Sequence, residues 1–456
     1  MLHMEKNLTK GSIFKNIWIF ALPYFLSYFL QTLYGMADLF IAGQFNSADV
    51  ISAVAIGSQV MHMFTVIIVG LAMGGTVLIG QAVGAKDGRK ASKVTGNTIT
   101  IFAFVAVFTT LLLLVLCPQI VNVMATPEES VNETLDYLRI CFMGIPFIIA
   151  YNVIASIFRG IGDSKSPMIF VAISCVLNIG LDYLFIGAFG MKAAGAAFAT
   201  IISQAISVVI SILAVIKLNT GIKISKSDLS LEKSTAGGIL KIGVPVAAQD
   251  GFIQISFLII TIIANNRGLK ISAAVGIVEK IISFLFLVPS SLLSTVSAIS
   301  AQNLGAGKID RADKTLFAGL AIGCGYGILI AVLFQFIASP FLSLFTHDSE
   351  VIEFGSQYIK SYVFDTLFAG LHFCFSGYFC ALGKSFISFV HNFFSIVLVR
   401  IPGAYIASKF WPETLYPMGF APALGSLLSV LICAVAFFVL HAHLKNHQKQ
   451  KTAQDI

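Results

Sequence analysis

Long apolar runs broken by short polar links organise this chain. They lie at about 14–41, 51–80, 94–117, 134–158, 167–189, 193–217, 237–264, 271–300, 315–339, 352–381, 386–410 and 418–443. Each is long enough to cross roughly 30 Å of hydrocarbon as a helix, which takes about 20 residues. None shows the ten-residue alternation of a lipid-facing barrel strand. A segment in lipid must satisfy its own backbone hydrogen bonds, so the pattern predicts an all-α membrane protein with twelve transmembrane helices.

Composition agrees. Of 456 residues, 57% are hydrophobic and only 11% charged, whereas a soluble domain needs about 25% charged residues to face water. The net charge of +7 raises the question of an acidic or nucleic-acid partner. The cationic residues, however, fall in short links, a pattern that orients a bilayer protein and implies no nucleic acid. With both termini placed in the cytoplasm, that side holds 21 of the 29 Lys and Arg and the other side six, while Lys280 and Arg400 fall inside spans. This orients a multi-pass protein with both termini in the cytoplasm. The run from Ile13 to Phe40 is too long for the core of a cleaved signal, so the first helix stays. Seven cysteines form no CxxC pair and read as small hydrophobes. The glycines of 70–75 have no GK[ST] after them, which excludes a phosphate loop. No nucleophile and base stand in a recognisable constellation, so the chain does not read as an enzyme and calls for no cofactor.

The two halves repeat each other. A shift of 221 lays Gln81, Gly84 and Ala85 on Gln302, Gly305 and Ala306, Tyr137 on Tyr358, and Gly162 and Ser164 on Gly383 and Ser385. A shift of 222 lays Pro23 on Pro245. The longest polar link separates two groups of six spans. The expected organisation is an N-lobe at 1–218, a cytoplasmic linker at 219–235, a C-lobe at 236–443 and a cytoplasmic tail at 444–456. An even number of helices per unit gives a parallel repeat, two pseudo-symmetric six-helix lobes around a central cleft, which suits alternating access.

Five carboxylates fall within spans: Asp38, Asp182, Asp250, Glu279 and Asp365. A charge at mid-bilayer costs about 2.5–3.5 kcal/mol on insertion scales, so each needs a cavity, a partner or a proton. Asp38 follows Pro23, a residue that removes a backbone hydrogen bond and permits a kink. Asn178 and Asp182 are an i, i+4 pair on one face of the fifth span, and Thr200 on the sixth can add a hydroxyl. Two carboxylates, an amide oxygen and a hydroxyl suit a small hard cation; the same group can instead hold a proton. The plain alternative is interhelical hydrogen bonding, worth about 0.6 kcal/mol per bond. Gly70 with Gly74 and Gly319 with Gly323 read as close-packing pairs, and His441, His443 and His447 as a solvated tail.

The segments YGMADLFIAGQF (34–45), GQAVGAKDGRKASK (80–93), FRGIGDSKSPM (158–168), NIGLDYLFI (178–186), AAGAAFAT (193–200) and AQNLGAGKIDRADK (301–314) together resemble the multidrug and toxic compound extrusion (MATE) family, over nearly the whole chain. The resemblance implies a secondary active multidrug efflux antiporter. It would exchange Na⁺ or H⁺ for organic, cationic amphiphilic compounds by alternating access, as a monomer in the lipid bilayer. Asp38, Asn178, Asp182 and Thr200 match the family's N-lobe cation site, with Pro23 as hinge. Asp250 and Asp365 resemble acids that some branches use for cations or cationic substrate. Glu279, Tyr34 and Gln31 join them as candidate substrate or second-cation residues. The alternatives are a flippase for lipid-linked saccharides, of related architecture but usually needing more cationic side chains, and a channel.

Overall fold

The computed structural model describes the backbone of residues 7–217 and 224–454, with side chains as far as Ala442. Linker residues 219–223 and the side chains of His443, His447 and the rest of the expected tail lie outside the described residues. Among the described residues every regular element is helical. The first half comprises α1 (Ile13–Phe45), α2 (Ala48–Gly84), α3 (Gly88–Val123), α4 (Val131–Met143), α5 (Ile145–Gly160), α6 (Lys165–Asp182) and α7 (Lys192–Lys217). The second comprises α8 (Lys233–Asn265), α9 (Leu269–Leu285), α10 (Leu287–Gly305), α11 (Ile309–Leu342), α12 (Ser349–Tyr362), α13 (Phe364–Ala381), α14 (Ser385–Phe394), α15 (Ile401–Phe410) and α16 (Tyr416–Gln454). A π turn continues α6 over Tyr183–Ala188, and another joins α14 to α15 over Ser395–Arg400.

Eleven of these helices or joined helices are long and apolar enough to cross a membrane, and α4 with α5 makes a twelfth that is bent by 47°. The fourth span therefore departs from the single run expected at 134–158. Pro146 in the first turn of α5 has no N–H to continue the ladder. Gly144 sits at the corner, where a Cβ would meet Ile201 at 2.3 Å. Large apolar side chains cover the outside: Phe104, Phe108, Leu111 and Val115 of α3 are all exposed and share one helix face at helical spacing, a stripe suited to lipid.

The helices pack as two units, one of residues 7–217, 224–247 and 301–309, the other of 248–300 and 310–454. The first has a core around Phe102, Leu138, Phe142 and Phe158, the second one around Ile282, Phe334, Tyr358 and Tyr362.

The repeat reappears in the turns. Asp163 N–H donates to the Phe158 carbonyl and Gly162 N–H to Arg159; 221 residues on, Lys384 N–H donates to Phe379 and Gly383 N–H to Cys380. The same pairing links Asp87 to Ala82 and Lys86 to Val83, then Lys308 to Asn303 and Gly307 to Leu304. Each is a helix-ending motif whose pivotal residue is left-handed: φ is 96° at Gly162, 71° at Gly383, 58° at Lys86 and 71° at Gly307.

Two of the duplicated glycines also meet each other's motif inside the first unit. A Cβ on Gly84 would lie 1.9 Å from the Gln302 carbonyl oxygen, and one on Gly305 would lie 2.0 Å from that of Gln81. The ends of α2 and α10 thus cross backbone to backbone in a reciprocal pair. Gln302 extends the junction: its amide donates to the Gly160 carbonyl and its oxygen accepts from Leu8 N–H. Gly74 is likewise a close approach, with Ile239 O 2.1 Å from its would-be Cβ, and Gly323 faces Gly370, consistent with the packing role expected for these pairs.

Linker residues 225–232 are tied to α3. Buried Asn97 donates to the carbonyls of Asp228 and Ser230 and accepts from Glu232 N–H at 2.9 Å. Thr100 donates to the Leu229 carbonyl, and Lys93 pairs with Glu232 at 2.8 Å.

Two expectations follow from these contacts. Gly84→Ala should lower the detergent melting temperature by the equivalent of about 1–3 kcal/mol of overpacking, while Gly88→Ala, where nothing lies within 4 Å of the added methyl, should be neutral; equal melting temperatures would refute the crossing. Hydrogen bonding from Ser225 holds the Asp228 carboxyl below its ordinary value, and Lys93 does the same for Glu232. A depressed folded-state value stabilises the turn above the unfolded value and loses that effect as pH falls through the folded one. Amide protection at 229–232, corrected for intrinsic exchange, should hold at neutral pH and fall below about pH 4; protection that stays flat down to about pH 2 would contradict it.

Candidate functional site

In the first unit, α1 carries Asp38, α6 carries Asn178 and Asp182, and α7 carries Thr200. The tertiary structure brings all four together and buries them: Asp38 is 2% exposed, Asn178 1%, Asp182 0% and Thr200 9%. Thr200 Oγ1 donates to Asp38 Oδ2 at 3.2 Å across 162 residues of sequence. Asp182 and Asn178 lie within reach of the Asp38 carboxyl, but without well-directed bonds. Asp38 Oδ1, both Asp182 oxygens and both amide atoms of Asn178 have no hydrogen-bond partner. Buried polar atoms are nearly always paired, so this concentration of unpaired oxygens around two like charges calls for something positive.

The donor set is hard oxygen throughout, the chemistry of a small monovalent ion or a proton. No cluster of three or more His, Cys, Asp or Glu occurs among the described residues, so any bound ion would draw on the amide and hydroxyl oxygens as well as the two carboxylates.

Tyr34, one turn before Asp38, feels the charge of that carboxyl and reaches Gln204 of α7. Gln204 was not among the sequence candidates; its signal is the i, i+4 spacing from Thr200. Gln31 is half-buried on α1 and is not among the groups that meet Asp38. Pro23 lies inside an otherwise continuous α1, and Ser27 Oγ donates to its carbonyl at 2.9 Å. Beside it the Arg159 guanidinium, 5% exposed, lies 4.1 Å from the centre of the Tyr24 ring. The apolar run drawn at 134–158 stops one residue short of this arginine, which therefore read as part of a cytoplasmic link.

In the second unit Glu279 of α9, Asp365 of α13 and Arg400 of the second π turn converge. Arg400 Nη2 donates to Tyr362 Oη at 2.7 Å, and Nη1 lies 4.0 Å from Asp365 Oδ2. The guanidinium sits 4.8 Å from the centre of the Phe257 ring. Thr261 Oγ1 donates to Glu279 Oε2 at 2.8 Å. Glu279 Oε1 and both Asp365 oxygens have no hydrogen-bond partner. Lys280, next to Glu279, is exposed; adjacent helix residues point about 100° apart. Asp250 is half-buried on α8 near Cys380 and is not among the charges acting on Asp365 or Arg400.

Three features had no sequence signal or were misread. His372 and His391 are buried with ring centres 5.4 Å apart, and Ser376 Oγ lies 2.9 Å from His391 Nε2; a single histidine in an apolar run announces nothing. The expected solvated tail is corrected at His441, whose ring stacks on Phe437 at 5.3 Å and reaches Asp313 at 3.4 Å, because α16 continues past the last apolar residues. One π turn starts directly after Asp182 and the other ends on Arg400, and functional sites are a frequent place for such turns.

Comparison with known proteins agrees with this architecture. The MatE family model matches residues 23–184 and again 245–406, two copies displaced by 245 − 23 = 222 residues. The chain is 26% identical over 429 residues to the probable multidrug resistance protein YoeA of Bacillus subtilis, covering 91% of this chain and 93% of that one. It is 25% identical over 379 residues to the multidrug export protein MepA of Staphylococcus aureus, covering 82% and 83%. Its fold matches a solved outward-facing multidrug resistance MATE family transporter with a TM-score of 0.90 at 20% identity, covering 98% and 99%. The chain is a multi-pass membrane transporter and belongs to the MatE, or multidrug and toxic compound extrusion, family.

Proposed function

We propose that this transporter is a secondary antiporter that exchanges Na⁺ or H⁺ for organic cations, and that Asp38 carries the coupling. The observation that supports this most is the buried pair Asp38 and Asp182 with three carboxylate oxygens unpaired. Two carboxylates in a low-dielectric interior repel each other strongly, and either a bound cation or a proton relieves that repulsion. Asn178 and Thr200 complete the oxygen set; Tyr34 and Gln204 stand one helical turn to its cytoplasmic side.

The chemical step is ion exchange alone, so the residues act by charge and position. Capture of a cation from outside neutralises Asp38 and Asp182, which lets α1 and α6 draw together. Pro23, with one backbone hydrogen bond missing, is where α1 bends as they do. Inward release of the ion restores the repulsion and accompanies outward export of the organic compound. Alternation between states that bind the ion from opposite faces requires only that each state favour a different occupancy. Lobes at 1–218 and 236–443 joined by the linker 219–235, both termini in the cytoplasm of a bacterial-type plasma membrane, and a monomeric transporter complete the proposal. Asp250, Glu279 and Asp365 serve the substrate or a second ion. The names of relatives such as YoeA and MepA support drugs as substrate.

In proteoliposomes with Na⁺ and pH gradients imposed separately, one gradient should drive drug exchange and the other should not. Asp38→Asn should insert at wild-type yield and lose at least about tenfold in driven exchange. Undiminished gradient-driven exchange by that variant would remove Asp38 from the coupling role.

A further inference from the structure

The acids of the second unit do not share one environment, and the difference lies in Arg400. Its guanidinium, on a residue 5% exposed, is enclosed by an aromatic and acidic box. Phe257 lies under the cation at 4.8 Å and Tyr362 at 6.0 Å. Asp365 approaches at 4.0 Å, and Glu279 acts on the same guanidinium from α9. A flat delocalised cation over an aromatic face, flanked by carboxylates, is what such a box recognises. Here the chain supplies that cation itself.

Formal charges leave the box unbalanced. Two carboxylates act on one guanidinium, of which only Asp365 stands at ion-pair distance, and Glu279 Oε1, Asp365 Oδ1 and Asp365 Oδ2 accept no hydrogen bond, while Arg400 Nε donates none. The Ser426 hydroxyl reaches toward Asp365 without a directed bond. A purely structural buried ion pair is normally saturated, because desolvation exceeds the Coulomb gain unless the remaining lone pairs are satisfied. Here carboxylate oxygens stay unsatisfied beside a guanidinium already seated on an aromatic face.

Resting on the reading of the substrate as an organic cation, we infer that Arg400 is the specificity-determining residue of this box. It is an internal cation that competes with the substrate's charged group and limits the incoming charge to one. Each positive charge on a substrate feels the guanidinium's repulsion, so a dication is penalised about twice as heavily as a monocation. Removing Arg400 therefore strengthens cation binding and favours the dication most.

The test compares ethidium, a monocation, with propidium, which carries the same ring system and a second positive charge. Binding of both to the purified full chain is measured by fluorescence anisotropy, and export separately in proteoliposomes. Wild type should bind ethidium more tightly. Arg400→Gln should raise the propidium-to-ethidium affinity ratio at least about tenfold, and adding Asp365→Asn should bring it back near the wild-type value. An unchanged ratio in Arg400→Gln overturns the inference, as does failure of wild type and variant alike to bind either dye. Should Arg400→Gln not fold, Asp365→Asn alone decides: with one carboxylate left against Arg400 the ratio should fall below wild type, and an unchanged ratio overturns the inference. Dyes that bind with the expected charge dependence but are never exported would leave Arg400's role standing and defeat the export reading instead.

Discussion

The protein is built around carboxylates held where water cannot reach them. Asp38 and Asp182 are almost wholly buried, and most of their oxygens lack hydrogen bonds. Burying one uncompensated charge is costly; burying two side by side costs more. A static protein would have no use for such an arrangement. Under the proposed coupling the arrangement has one, because the penalty disappears when an ion or proton arrives and returns when it leaves. Around the pair stand a proline-bearing α1 on one side, a π turn directly after Asp182 on the other, and the Thr200 hydroxyl of α7 in contact with Asp38.

The second unit meets the same physical problem differently. Asp365 faces an arginine of the chain itself, whose charge Glu279 also feels, whereas among the described residues no cationic side chain acts on Asp38 or Asp182. Duplication of a six-helix unit supplied two similar frameworks, evident in turns that repeat hydrogen bond for hydrogen bond. The charged residues were placed on those frameworks independently. Under the proposed function that divergence becomes a division of labour, with the coupling ion in one unit and the organic cation in the other.

The glycine motifs carry a different constraint. Gly84 and Gly305 each face the carbonyl of the other copy's glutamine, so a single duplicated motif became a reciprocal contact. The gain is a backbone crossing that no larger residue permits, with Gln302 tying the turn at Leu8 and the end of α5 to the same point. Such a contact is either made or not made, since there is no side chain to deform.

Much of this was written in one dimension. Apolar run length alone determined the helical spans, because lipid permits no other backbone solution; lysine and arginine bias and the 221-residue repeat followed from counting. Asp38, Asn178, Asp182 and Thr200 stood out because a carboxylate or its partner amid leucines and isoleucines is anomalous without any knowledge of its neighbours. Tertiary structure alone decided which anomalies meet. It joined Asp38 to Thr200 across 162 residues, set Arg400 against Asp365 and Tyr362, bent the fourth span at Gly144, and paired His372 with His391. It also drew Arg159 and Gln204, unremarked in the sequence, to Tyr24 and Tyr34. The physical reason is range: burial and helix length depend on local composition, whereas pairing depends on how helices pack, and no local pattern encodes which faces will touch.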